Sequence, residues 1–261
     1  MTLYYKEYGH KHAPLMVFIH GGGVSGWMWN KQIEYFKHFH CLVPDLPEQG
    51  LSNGDCPFSI NTSAEKIISL IEEKGQRKTI IAIGFSLGAQ VLIAILSKRP
   101  DLIQYAMINS ALVKPISYAK MFTKSLVVIY PLTRNKTFSK IQAKSMYIDT
   151  DLYETYYNES GRMSKNTFTR IMNENMSFTI PKSFDRANGN ILVTVGEKEK
   201  KMMKDSMIEI INSNPKCRGF VFPKMGHGVS LAEPELFNHV VEKWIQQDAL
   251  PLSPTDFIHP S

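Results

Sequence analysis

Apolar residues along this chain gather in short unbroken runs, and the stretches between the runs carry helical periodicity. Leu15–Ile19, Cys41–Pro44, Ile80–Ile83, Gln104–Asn109, Asn190–Val195 and Gly219–Phe222 are runs of this kind. A continuous short apolar run marks a strand covered on both faces, because a half-exposed strand alternates instead. Thr2 to Tyr8 alternates loosely and reads as an edge strand. Between the runs, the aromatics of Trp27 to Phe39 have helical spacing. Thr62-Ser63-Ala64-Glu65 has the form of a capping box opening a helix that reaches Lys74, with Ile67, Ile68 and Ile71 inward. Ala89 to Leu96, Lys201 to Asn212 and Glu233 to Gln247 complete the helical set. Strands alternating with helices at this spacing predict an α/β fold, a mostly parallel central sheet with helices on both faces.

The alternation stops after Asn109-Ser110. From Ala111 to Arg186 there is no buried strand pattern, only helical ones at Ile116–Ile129, Asn135–Tyr147 and Ser164–Met176. The sequence therefore divides into a core, residues 1–110 and 187–261, and a helical insertion, 111–186. The insertion's apolar residues lean to aromatics and methionine, among them Tyr118, Phe122, Met146, Met163, Phe168 and Met172. Such side chains repack around ligands of varied shape, although each one taken alone is more simply a packing residue. The tail from Asp248, with Pro251, Pro254 and Pro260, reads as poorly ordered packing or a linker end.

Candidate chemistry centres on Gly84-Phe85-Ser86-Leu87-Gly88, set between an apolar run and a helical one. A serine at the tip of a tight strand-to-helix turn takes a strained conformation, and crowding leaves little room two residues to either side, which glycine answers. Chance alone gives Gly-x-Ser-x-Gly roughly once in ten to twenty chains of this length at ~7% glycine, so the context carries the weight. A membrane span over Ile80–Leu96 is excluded by its two glycines, serine and glutamine and by a length short of ~20 residues. His20-Gly21-Gly22-Gly23 follows another buried strand and offers open backbone N–H groups. His227, between Gly226 and Gly228, follows the final strand, while His20 is placed to brace its own loop.

These residues resemble the α/β-hydrolase superfamily, of the small single-domain esterase and lactonase type. The resemblance rests on His20-Gly21-Gly22-Gly23 through Trp27, on Pro44-Asp45-Leu46-Pro47 with Gly50 and Ser52, on the Ser86 turn, and on Gly226-His227. It implies Ser86 as nucleophile, His227 as base, and an orienting acid after the Asn190–Val195 strand. There the usual Gly-x-x-Asp pattern falls on Gly196 to Glu199, with Glu197 the alternative. It further implies an oxyanion hole from the N–H groups of Gly22 and Leu87, substrate contacts at Gly21, Gly23, Trp27 and Phe85, a structural Asp45, and a helical cap at 111–186. The family often has Gly-His where this chain has Glu48-Gln49, which puts pocket shape and substrate in question.

The activity implied is hydrolysis of a small carboxylic ester, lactone or thioester through an acyl-enzyme, with no metal or organic cofactor. The same triad on this fold also serves perhydrolases, carbon–carbon bond hydrolases and non-catalytic receptors.

Composition narrows the field. The 261 residues, 43% of them hydrophobic, suffice for one large α/β domain. Cys41, Cys56 and Cys217 are an odd number at wide spacing, giving neither a metal set nor a disulfide framework, so a reducing cytoplasm is the expected home. Met1 to Pro14 does not read as a signal peptide, no phosphate-binding loop, zinc spacing or basic-aromatic nucleic-acid surface is recognisable, and the partner expected is a small acyl substrate. The net charge is +6, and Ala111 to Arg186 holds twelve basic residues against six acidic, a surplus equal to the whole. A solvated helix face explains this most simply; the functional alternative is steering of anionic substrates.

Overall fold

The computed structural model of the protein describes residues 3–52, 56–116, 123, 127, 130–247 and 257–258. An eight-stranded sheet forms the centre, in the order β1-β3-β2-β4-β5-β6-β7-β8. The strands are β1 (Tyr5–Gly9), β2 (Leu15–Ile19), β3 (His40–Pro44), β4 (Ile80–Phe85), β5 (Tyr105–Asn109), β6 (Asn190–Gly196), β7 (Cys217–Phe222) and β8 (Phe257–Ile258). Pairings from β3 through β7 are parallel, while β1 runs antiparallel to β3 and β8 antiparallel to β7. The expectation for the tail is corrected at one point: Phe257 and Ile258 pair with Phe220 and Gly219, extending the sheet.

Alternate side chains of the inner strands feed two cores, as the pleat requires. Leu15, Val17, Ile19, Ala82, Ile108 and Val193 face one side; Met16, Phe18, Ile81, Ile83, Met107 and Leu192 face the other. The first core is closed by α2 (Ile60–Lys74), α3 (Leu87–Lys98) and α7 (Lys201–Asn212); the second by α1 (Asn30–Tyr35), the short α8 (Val229–Ala232) and α9 (Pro234–Gln247), with Phe237 and Trp244 of α9 almost wholly buried. Full burial of an Ile or Phe side chain is worth about 1.5–3 kcal/mol, so these two faces supply the driving force for the sheet.

Two helix boundaries differ from the sequence reading. α2 begins at Ile60 because Ser59 is its N-cap, accepting from the Thr62 N–H at 3.0 Å; Thr62 is the donor there, not the cap. The aromatic segment at 27–39 is a 3₁₀ turn, Gly26–Trp29, followed by the short α1.

Between β5 and β6 lies the helical insertion: α4 (Lys136–Ser145), α5 (Thr150–Arg162) and α6 (Lys165–Ser177). The helix expected at Ile116–Ile129 lies mostly outside the described residues. α5 was not foreseen at all. Three carboxylates fasten the insertion to the core. Glu159 accepts from Ser25 Oγ at 2.9 Å and Trp27 Nε1 at 2.8 Å. Glu48 accepts from Arg170 Nε, Thr167 Oγ1 and the Phe58 N–H. Glu174 accepts from the Ile60 N–H at the start of α2.

Candidate active site

Five chain segments leave the sheet at the carboxyl ends of β2, β4, β5, β6 and β7 and bring the candidate residues together, at the edge where open α/β sheets bind ligands. Ser86 follows β4 directly and occupies the N-cap position of α3 with φ 52° and ψ −111°, the strained turn expected of the motif. Its flanking glycines are fixed by contact. A Cβ on Gly84 would lie 2.5 Å from Gly88 O, and one on Gly88 would lie 2.3 Å from Ile19 O.

From Ser86 a hydrogen-bond relay runs inward. Ser86 Oγ is 3.1 Å from His227 Nε2, and His227 Nδ1 is 2.7 Å from Glu199 Oε2. Glu199 Oε1 accepts from the Gly196 N–H at 2.9 Å and from Ser110 Oγ at 2.7 Å. Burial pushes the Glu199 carboxyl up, but His227, the Gly196 N–H and Ser110 together hold it below its ordinary value. An ionised Glu199 only accepts, so Nδ1 carries the imidazole proton and Nε2 is left to accept from the Ser86 hydroxyl. Glu197, the alternative acid, points elsewhere: it is exposed and accepts from the Lys224 N–H at 2.6 Å.

Ser110 escaped the sequence reading. It takes φ 55° just past β5, donating its N–H to Thr194 O, and this unusual backbone turns its hydroxyl onto Glu199. The one signal available was its place at the end of a buried run.

The glycine loop after β2 sits opposite. Gly23 has φ 78°, which favours glycine, and its N–H donates to Gln49 Oε1 at 3.0 Å. Among the described residues the Gly22 and Leu87 N–H groups have no acceptor, and both residues border the same cavity as Ser86. His20 is fully buried. Its Nε2 accepts from the Leu46 N–H at 2.9 Å, so Nδ1 is the protonated nitrogen and donates to Gly21 O at 2.7 Å. Burial lowers its pKa, against the pull of Asp45 and Gly21. Asp45 ties the neighbouring loop, accepting from the Gly26 and Leu51 N–H groups at 2.8 Å each.

Over Ser86 lies a cavity of about 210 Å³. Met146, Met163, Phe168, Ile171 and Met172 of the insertion form its apolar walls, with Gln142, Tyr156 and Ser160 as polar points. The expected substrate contacts Gly21, Trp27 and Phe85 are not among the residues that line it. The Trp27 indole is turned to Glu159, and the Phe85 ring lies 5.0 Å from the His227 ring, tilted at 47° to it. A Cβ on Gly21 would stand 2.8 Å from Phe85 Cδ1, so Gly21 gives that ring its room. Gly22 and Gly23 do border the cavity.

A strained serine, a histidine and a buried carboxylate set along the carboxyl edge of a mostly parallel sheet define the hydrolase class of α/β proteins. The chain belongs to the alpha/beta hydrolase family, which it matches over residues 16–240. Among solved structures it resembles the enol-lactonase from Burkholderia xenovorans LB400 (TM-score 0.78, 15% identity, 94% of this chain and 96% of that one). The esterase EaEST from Exiguobacterium antarcticum is as similar, with a TM-score of 0.78, 17% identity and the same 94% and 96% coverage. In sequence, ethanol acetyltransferase 1 of Wickerhamomyces ciferrii is 31% identical over 130 residues, 47% of this chain and 33% of that protein. The chain spans a third to a half of the length of the curated relatives it matches. Among the described residues no helix is long and apolar enough to cross a membrane.

Proposed function

We infer that the protein cleaves a small carboxylic ester, lactone or thioester through an acyl-enzyme on Ser86. The observation that carries this reading is the continuous relay Ser86–His227–Glu199, at 3.1 Å and 2.7 Å, opening into an apolar cavity. His227 Nε2 takes the hydroxyl proton as Ser86 Oγ attacks the acyl carbon, and Glu199 stabilises the imidazolium. The tetrahedral oxyanion is held by the N–H groups of Gly22 and Leu87, the latter at the positive end of α3. The imidazolium then gives its proton to the leaving group. Water attacks the acyl-enzyme with His227 again as base, releasing acid and free Ser86. The helical insertion acts as a cap whose methionines and aromatics receive the acyl chain.

Labelling by a fluorophosphonate, followed by a panel of acetyl to octanoyl esters and thioesters, tests the reading. Labelling confined to Ser86 and lost in Ser86→Ala is the expected result; full ester hydrolysis by Ser86→Ala would overturn it. A second reading, transfer of the acyl group to an alcohol in place of water, is favoured by the relatives named ethanol acetyltransferase 1. Under it, added ethanol diverts the acyl-enzyme to an ethyl ester and leaves the release of the first leaving group unchanged.

A further inference from the structure

Gly226 and Gly228 flank His227, yet their backbone does not demand glycine. The positive-φ glycines among the described residues are Gly9, Gly23 and Gly50, and Gly228 has φ −105°, open to any residue. What a side chain at either position would meet is Tyr147. A Cβ on Gly226 would stand 2.7 Å from Tyr147 Oη, and one on Gly228 would stand 3.0 Å from Tyr147 Cδ2 and 3.2 Å from Met146 O. The Tyr147 ring therefore lies across both glycines.

Tyr147 is itself misplaced by ordinary rules. It follows the end of α4 with φ 58°, and the Ile148 N–H returns to Ala143 O at 3.0 Å, the helix-ending turn in which glycine is usual. Glycines stand where the backbone would accept any residue, and a tyrosine stands where the backbone favours glycine. Its hydroxyl has no hydrogen-bond partner among the described residues, and the side chain is half exposed, so the contact is one of packing, through Oη at Gly226 and through the ring at Gly228.

The opposite side of the His227 loop is held by the strand that leads to Glu199. Lys198 N–H donates to Met225 O at 2.8 Å, and a Cβ on Gly196 would lie 2.5 Å from both Met225 O and Gly226 O. The loop is thus gripped between the end of β6 and the Tyr147 ring. The neighbour of Tyr147 in the same turn, Met146, borders the acyl cavity, as does Gln142 one turn earlier in α4.

We propose that Tyr147 is a positioning residue for His227, its ring forming the outer wall of the His227 loop and coupling the filling of the cavity, through Met146, to the alignment of the base. This rests on the reading of His227 as base given above. Its consequence is a kinetic one: an acyl chain that seats Met146 well speeds the acylation step itself, beyond tightening binding. A misplacement of about 1 Å at a reacting group costs up to ~100-fold in rate, and loss of the wall permits displacements of that order.

Tyr147→Gly separates positioning from folding, because glycine suits the left-handed backbone and leaves the melting temperature at or above that of the parent. The expected result is a fall in kcat and in fluorophosphonate labelling rate of about 10- to 100-fold with KM within about threefold, on the scale set by such misplacement. The dependence of kcat on acyl length should flatten. Tyr147→Phe should stay within about twofold, the ring being intact. Gly228→Ala should lose activity by colliding with the ring, and adding Tyr147→Gly should restore it to the level of Tyr147→Gly alone. Parental kcat in Tyr147→Gly, or losses that multiply in the double variant, would overturn the proposal. His227→Ala separates the two readings: activity surviving there removes the base itself, whereas an inactive His227→Ala beside a fully active Tyr147→Gly removes only the role of Tyr147.

Discussion

Glu199→Gln changes one atom and should remove nearly all activity. The Gly196 N–H can only donate, and it donates to Glu199 Oε1 at 2.9 Å. The oxygen of a new amide is therefore fixed at that position, and its NH2 is turned to the place of Oε2, 2.7 Å from His227 Nδ1. An NH2 group there cannot accept, so His227 must turn its bare nitrogen to it and carry its proton on Nε2. Nε2–H faces Ser86 Oγ as a donor and has no lone pair for the hydroxyl proton. The same exchange of tautomer in a Ser-His-Asp enzyme costs about 10⁴ in kcat, which at ~1.4 kcal/mol per decade is about 5 kcal/mol of transition-state stabilisation. The fold should tolerate the change, since shape is kept. The assay is single-turnover release of 4-nitrophenol from its acetyl ester, with Glu197→Gln beside it. Glu197 is exposed and accepts only from the Lys224 N–H, so its variant should stay within about threefold, as surface changes do. Activity within tenfold of the parent in Glu199→Gln, or a larger loss in Glu197→Gln, refutes the reasoning.

Ser86→Ala should lower kcat by about 10⁵- to 10⁶-fold with an unchanged melting temperature, read in the same assay. Gly88→Ala should instead fail to fold or melt far lower, because its Cβ meets the Ile19 and His20 carbonyls at 2.3 and 2.5 Å and overpacking against backbone costs about 3 kcal/mol or more. Glu159→Gln can still accept from Trp27 and donate to Ser25. Burial raises the Glu159 carboxyl above its ordinary 4.5, so the parent holds its advantage below that value and loses it as pH rises through the raised one. Thermal melts from pH 4 to pH 9 should therefore show the parent losing ground to Glu159→Gln as pH rises; parallel curves would contradict this. For the basic insertion, kcat/KM of an anionic ester should fall with salt more steeply than that of its neutral match, over the range where the Debye length drops to ~10 Å and below; equal slopes leave only a solvated face.

The sheet was legible because parallel strands covered on both faces write themselves as unbroken apolar runs, and β2 and β4 are buried at every position. That Ser86, His227 and Glu199 come together was legible because each stands in a short local pattern after such a run. What stayed hidden is what depends on distant chain. α5 fully buries only Tyr153 and Tyr156, carries Gly161 and is mostly polar, so its periodicity is faint; its Glu159 is explained by Ser25 and Trp27, far away in sequence. The hydrogen bond of Trp27 to Glu159 was hidden for the same reason, the two being 132 residues apart. Glu48 is intelligible only beside Arg170 and Thr167, and burial pushing its carboxyl up is outweighed by these donors, which hold it below its ordinary value.

His20 stands close to this chemistry yet is withdrawn from it. With one nitrogen accepting from Leu46 and the other donating to Gly21 O, a second proton could enter only by evicting the Leu46 N–H from a site closed to water. Its titration is displaced to acid pH by burial. Near neutrality the glycine loop therefore carries a neutral imidazole, and His20 adds no step of its own to a rate profile measured there.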